Sequence, residues 1–221
     1  MIPRAVIFDV DGTLIDTREV HLRCWQQTLQ EFGKQVSRAE IEALFGQHTT
    51  EWLRHFFTPA EQRTVGDAVA ARKDRLFAER LPEVKPFPGA AEILREVKAR
   101  GRQVALATGA LAHELEVHLD TLHARELVDA IVDGSEVTHG KPHPDVYLRT
   151  AEKLGRAPAE CVAVGDSLYD VIAARAAGMP CIALLTGGFS EAQLREAGAV
   201  EVYADIESLR RAWAASQSPS G

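Results

Sequence analysis

Hydrophobic and polar positions change their period twice along the chain. Residues 4–8 (RAVIF) form a short β-branched and aromatic run that stops at Asp9, with Gly12 marking a turn; the pattern predicts a buried strand. From Thr17 to Phe32 the apolar residues Leu22, Trp25, Leu29 and Phe32 recur at helical steps, and Gly33 suits the end of that helix. Ser37 with Glu40 makes a capping box for a second helix ending near Gly46, and Thr58, Pro59 and Glu61 start a long helix toward Leu81. The segment PEVKPFPG (82–89) reads as a linker. Beyond it, a helix near 90–100 precedes strand-like runs at Gln103–Ala107, Ala130–Val132, Cys161–Val164 and Cys181–Leu184, with a weaker run at Val200–Tyr203. Nearly continuous apolar strands separated by helices predict a parallel sheet covered on both faces. The expected architecture is an α/β core with a Rossmann-like parallel sheet (residues 1–15 and 85–221), interrupted after its first strand by an all-helical insertion (16–84).

Composition narrows the function classes. The 221 residues are 46% hydrophobic and 26% charged, which excludes wholesale disorder. A net charge of -7 repels a phosphate backbone, so nucleic acid is not an expected partner. Any anionic substrate needs a local positive centre. The odd number of cysteines (Cys24, Cys161, Cys181) at no metal-ligand spacing suggests buried thiols in a reducing compartment. No apolar run approaches the ~20 residues of a membrane helix, and Asp9 and Asp11 interrupt the first apolar stretch, so no signal-peptide layout is expected. A cytoplasmic protein without membrane contacts is expected, as a monomer or homodimer.

Ligands of an open α/β sheet bind outside the carboxyl ends of the strands. Asp9, Asp11, Gly12 and Thr13 follow the first strand, and Thr108 and Gly109 the second. Lys141 and Pro142 come some distance after the third, and Gly165, Asp166, Ser167 and Asp170 close the fourth. Clustered carboxylates repel one another unless a cation lies between them, and hard oxygen donors suit Mg2+, which in turn admits a phosphate. The turn after the first strand offers backbone N–H groups to an anion. One carboxylate can attack phosphorus and a second, two residues on, can exchange protons.

DVDGTLID (9–16), ALATGA (105–110), GKPHPDVY (140–147) and VGDSLYD (164–170) resemble, in order, the four motifs of the haloacid dehalogenase (HAD) superfamily, in its phosphoglycolate phosphatase and β-phosphoglucomutase-like branch. The resemblance covers nearly the whole chain and makes the insertion a small helical cap domain. It implies Asp9 as nucleophile, Asp11 as general acid/base, Thr108 and Lys141 as phosphate binders, and Mg2+ held by Asp9, the Asp11 backbone carbonyl and Asp166, with Asp170 as a further acid. Gly12, Thr13 and Gly109 would add substrate contacts. Gly109 stands where Ser or Asn is common, so only its N–H can serve. Dehalogenases of this kind lack an acid at the Asp11 position, so its presence points to phosphate chemistry.

In the insertion, His21 and Trp25 lie one turn apart and form either a pair packed within the cap or, for His21, a substrate contact; sugar-phosphate enzymes of this family are similar in placing a His there. Gln47 and His48 fall where such caps present a specificity loop. The expected activity is hydrolysis of a small phosphomonoester, phosphoglycolate or a sugar phosphate, through an aspartyl-phosphate. The alternative is a β-phosphoglucomutase-like isomerase, weakened by Thr49 where those mutases usually have Arg.

Overall fold

The computed structural model describes residues 3–45 and 49–216. In chain order the elements are β1 (Ala5–Phe8), β2 (Ile15–Asp16), α1 (Arg18–Glu31), α2 (Arg38–Ala43), α3 (Thr49–Phe56), α4 (Pro59–Arg80), β3 (Lys85–Pro86), α5 (Ala90–Ala99), β4 (Gln103–Ala107), α6 (Ala112–Leu122), β5 (Ala130–Val132), α7 (Asp145–Leu154), β6 (Cys161–Gly165), α8 (Leu168–Ala176), β7 (Cys181–Leu184), α9 (Glu191–Ala197), β8 (Glu201–Tyr203) and α10 (Ile206–Ala215). Two compact units result: Met1–Asp16 with Lys85–Gly221, and Thr17–Val84.

The first unit is built on a six-stranded sheet of order β5-β4-β1-β6-β7-β8, and every neighbouring pair is parallel. β1 therefore lies centrally, with Phe8 opposite Leu106 on one side and Val164 on the other. The chain fills the sheet outward from β1 through β4 to β5, then returns to β6 and proceeds the other way. This reversal opens a crevice at the carboxyl end of β1. Alternate strand residues face opposite layers. Ala5, Ile7, Ala105, Ala107, Ala163 and Ala183 form one face, packed with Val146, Tyr147 and Ala151 of α7 and Val171 and Ala174 of α8. Small alanines on that face let a helix carrying the bulky Tyr147 lie close to the strands. The intervening Val6, Phe8, Val104, Leu106 and Val164 are fully buried as well, so both faces are covered.

The segment that reads as a linker is more ordered than its prolines suggest. Lys85–Pro86 pair antiparallel with Ile15–Asp16, and the Phe87 N–H donates to the Leu14 carbonyl at 2.9 Å. Pro86 is tolerated because this is a two-stranded ribbon with free edges.

The second unit consists of α1–α4 around Leu22, Trp25, Leu29, Ile41, Phe45, Trp52 and Val69. Trp25 and Trp52 stack with ring centroids 4.4 Å apart. Both anticipated capping boxes form, Ser37 with Glu40 and Thr58 with Glu61, and Pro59 opens α4. The short helix α3 has no counterpart in the sequence reading.

Candidate functional site

The end of β1 is turned sharply by hydrogen bonds rather than by a long loop. The Val10 carbonyl accepts from the N–H groups of Leu14 and Ile15 at 2.9 and 3.0 Å, and the Gly12 N–H donates to the Ile15 carbonyl at 2.8 Å. Gly12 has φ +78°, and a Cβ there would stand 2.1 Å from Asp166 Oδ2. A Cβ on Gly187 would stand 2.7 Å from the same oxygen. The Thr186 hydroxyl, from the turn after β7, donates to the Gly12 carbonyl at 2.5 Å and ties the two loops together. Two glycines thus form a cradle against the carboxylate of Asp166.

Asp9, Asp166 and Asp170 meet at this point: one carboxylate oxygen of each lies within 4.8 Å of the others, and all three residues are buried. Lys141 enters from the segment before α7. Its Nζ lies 2.6 Å from Asp9 Oδ1, 2.6 Å from Asp170 Oδ1 and 2.9 Å from the Ala107 carbonyl. Asp170 is fully engaged, because Oδ1 also accepts from the Tyr147 hydroxyl at 2.9 Å, and Oδ2 accepts from the N–H and hydroxyl of Ser167 at 3.1 and 2.5 Å. Burial opposes its charge, but Lys141, Ser167 and Tyr147 together hold its pKa below the usual carboxylate value. Burial likewise opposes the charge of Lys141, and Asp170 and Asp9 outweigh it, so the ammonium is held more tightly than in water.

Asp9 and Asp166 behave differently. Burial pushes Asp9 up from 3.8 to about 7, against the pull of Lys141 and with the repulsion of Asp170 and Asp11. Burial and then the repulsion of Asp9 and Asp170 raise Asp166 well above its ordinary value. The Thr13 hydroxyl bridges the two carboxylates, 3.1 Å from Asp9 Oδ2 and 3.2 Å from Asp166 Oδ1, so it turns toward the acids. Asp166 Oδ2 is buried and has no hydrogen-bond partner. Three acids against one ammonium leave an excess of negative charge in a buried crevice. An all-oxygen donor set with an orphaned carboxylate oxygen is what a small hard cation fits.

Thr108 lies just past the end of β4, beside β1. It is buried, its N–H donates to the Val132 carbonyl at 3.0 Å, and its Oγ1 accepts from the Ala110 N–H at 3.0 Å, leaving the hydroxyl proton for another acceptor. Gly109 next to it is exposed. Asp11 is partly exposed, and its Oδ1 lies 3.7 Å from Nε2 of the fully buried His118 on α6. The structure thus brings together Asp9, Gly12, Thr13, Lys141, Asp166 and Asp170 as the sequence suggests, with Asp11 in the same turn.

In the helical unit His21 stacks face to face on Phe77, with ring centroids 4.0 Å apart, and also approaches Phe45. Trp25 is buried and stacks on Trp52. Gln47 and His48 lie outside the described residues. Tyr147, His118 and Thr186 were not singled out from sequence. Each sits in a stretch that reads as ordinary helix or turn, and only the tertiary fold carries it to the acids.

These features define a class. A family model of haloacid dehalogenase-like hydrolases matches residues 6–184, and the chain belongs to that family. The chain is 32% identical over 178 residues to Fructose-1-phosphate phosphatase YqaB of Escherichia coli, covering 80% of this chain and 94% of that protein. It is 31% identical over 210 residues to a Phosphorylated carbohydrates phosphatase of Thermotoga maritima, covering 93% and 96%. Two other curated relatives are longer proteins, and the chain spans only 20% and 48% of their length. Among solved structures, a Bacteroides vulgatus protein provisionally named a beta-phosphoglucomutase is 26% identical, with a TM-score of 0.83 over 96% of this chain and 88% of that one. No helix among the described residues is long and apolar enough to cross a membrane.

Proposed function

We infer that the chain is a Mg2+-dependent phosphatase acting on a small phosphorylated metabolite, a sugar phosphate before phosphoglycolate. The observation that carries this reading is the buried group of Asp9, Asp166 and Lys141 at the mouth of β1, with one carboxylate oxygen left without a donor. The sugar-phosphate preference is supported by the named substrates of the Escherichia coli and Thermotoga maritima relatives.

Asp9 and Asp166, with the backbone carbonyl of Asp11, would hold Mg2+. The ion would neutralise phosphoryl charge and draw a dianion into the acidic crevice. Lys141, fixed by Asp170 and the Ala107 carbonyl, presents its ammonium to Asp9 and to the phosphoryl oxygens. Asp170 thereby acts as the anchor of the lysine, and Tyr147 and Ser167 hold Asp170. Thr108 offers its hydroxyl proton, and Gly109 its N–H, to the same oxygens.

A carboxylate oxygen of Asp9 attacks phosphorus, the bond from phosphorus to the leaving oxygen breaks, and Asp11 gives that oxygen its proton. Asp11, now ionised, takes a proton from water as the water oxygen attacks phosphorus. The bond from Asp9 to phosphorus then breaks and inorganic phosphate leaves. The helical unit is proposed as the cap that selects substrates, with His21, Gln47 and His48 as its contributing residues.

A mutase reading finds support in the Bacteroides vulgatus neighbour. A panel of phosphorylated metabolites, assayed with Mg2+ and with EDTA, separates the readings. Release of inorganic phosphate only with Mg2+, abolished in Asp9→Asn, is the expected result. Transfer within β-glucose 1-phosphate without phosphate release favours the mutase. Activity undiminished in Asp9→Asn defeats both.

A further inference from the structure

His118 is fully buried on α6, on the face it shares with Leu115, Leu119 and Leu122, and neither ring nitrogen has a hydrogen-bond partner. Such a group is expensive, because an unsatisfied buried donor or acceptor has given up its bonds to water for nothing, and an apolar side chain on this face would avoid the penalty. Sites where local stability is sacrificed tend to be functional. The acidic atom recorded beside the ring is Asp11 Oδ1, 3.7 Å from Nε2. That separation is slightly beyond a hydrogen bond, and catalytic hydrogen bonds of the unliganded state are often long and tighten when substrate binds. With a proton on Nε2 the ring is a donor facing the Asp11 carboxyl group. The backbone of Asp11 cannot easily move away, because the following residue is fixed by the Ile15 carbonyl and the Thr186 hydroxyl.

We propose that His118 is a positioning residue for Asp11, donating from Nε2–H to Oδ1 so that the other carboxyl oxygen is held toward the leaving group. The proposal rests on the reading of Asp11 as the proton donor. As Asp11 delivers its proton to the leaving oxygen it becomes a carboxylate, and a hydrogen bond to an ionised acceptor is roughly twice as strong as one between neutral groups. The contact therefore favours the transition state over the ground state and acts on the rate more than on substrate affinity. The ring itself keeps its proton throughout.

The test uses the full-length protein with saturating Mg2+ and a series of aryl phosphates from p-nitrophenyl phosphate to phenyl phosphate. A good leaving group needs little protonation, whereas phenolate needs much. In His118→Leu, kcat/KM for phenyl phosphate should fall on the order of tenfold, the worth of one charged hydrogen bond, while that for p-nitrophenyl phosphate changes less than about twofold. His118→Gln, whose amide N–H reaches nearly as far as Nε2, should recover most of the loss. His118→Leu should melt at the same temperature as the parent protein or higher, because it removes an unsatisfied buried group; a merely structural histidine would behave oppositely. A uniform loss across the series, no loss at all, or a failure of Gln to rescue overturns the proposal. Asp11→Asn supplies the control. Dependence on the leaving group in Asp11→Asn but not in His118→Leu sinks only the role of His118. No such dependence in Asp11→Asn sinks the reading of Asp11 as the acid, and the inference with it.

Discussion

Removing the divalent ion should make the protein less stable as pH rises through the weakly acidic range. The perturbation is EDTA against Mg2+ at several pH values. Burial displaces Asp9 from 3.8 to about 7, and Asp166 moves in the same direction. Between those two values the unfolded chain has released the Asp9 proton while the folded protein keeps it. The unfolded state then binds fewer protons, so stability declines as pH increases. Each pH unit is worth about 1.4 kcal/mol per group, so Asp9 alone accounts for at most about 4 kcal/mol between pH 4 and pH 7, with a plateau beyond. That is a large part of the 5–15 kcal/mol typical of a folded domain. Bound Mg2+ requires the ionised carboxylates, so the stabilisation it adds should grow over the same range. Urea unfolding of the parent protein and of Asp9→Asn, each with EDTA, reports Asp9 together with the acid it raises, Asp166, while distant titrating residues cancel in the difference. The parent protein should lose stability relative to Asp9→Asn from pH 5 to pH 7. A difference that is flat, or that rises with pH, refutes the account of a carboxyl held neutral by burial.

Three further outcomes follow from the site and the helical core. Gly12→Ala places a methyl 2.1 Å from Asp166 Oδ2 at a positive φ, and should lower kcat about 10- to 100-fold and weaken Mg2+ binding measured by calorimetry; near-normal binding contradicts the cradle. Tyr147→Phe removes the hydroxyl 2.9 Å from Asp170 Oδ1 and should lower stability by about 1–2 kcal/mol in urea, with a several-fold fall in kcat as Asp170, the anchor of Lys141, loses one of its partners. Trp52→Ala opens a void beneath Trp25 and should destabilise the helical unit by about 3–5 kcal/mol, followed by near-ultraviolet circular dichroism, while the pairings of the parallel sheet persist in amide exchange.

Much of the sheet was legible because parallel strands covered on both faces are continuous apolar runs, and all six were anticipated within a residue at either end, the weak run at Val200–Tyr203 included. The helices α1 and α4 were readable for another reason: regular apolar spacing in one, and a complete cap signature in the other. α3, eight residues long, carries too little period to separate it from a loop. β3 hides behind Pro86, which argues against a strand except at an unpaired edge. The acids were legible because each follows a strand end directly. Tyr147 and His118 were not, since both occupy the apolar face of a helix and look like core residues. Their polar atoms matter only because α6 and α7 pack against the crevice from distant parts of the chain. The partner of His21 was equally hidden: the ring of Phe77 on which it stacks comes from α4, far along the chain.

The short ribbon of Ile15–Asp16 against Lys85–Pro86 sets the two ends of residues 17–84 side by side. For the acids, everything between those ends is equivalent to one long hairpin loop. Doubling the length of such a loop adds only about 0.6 kcal/mol of closure entropy. Descendants of this chain could exchange, enlarge or redecorate the excursion while Asp9 and Asp166 kept their registration across neighbouring strands.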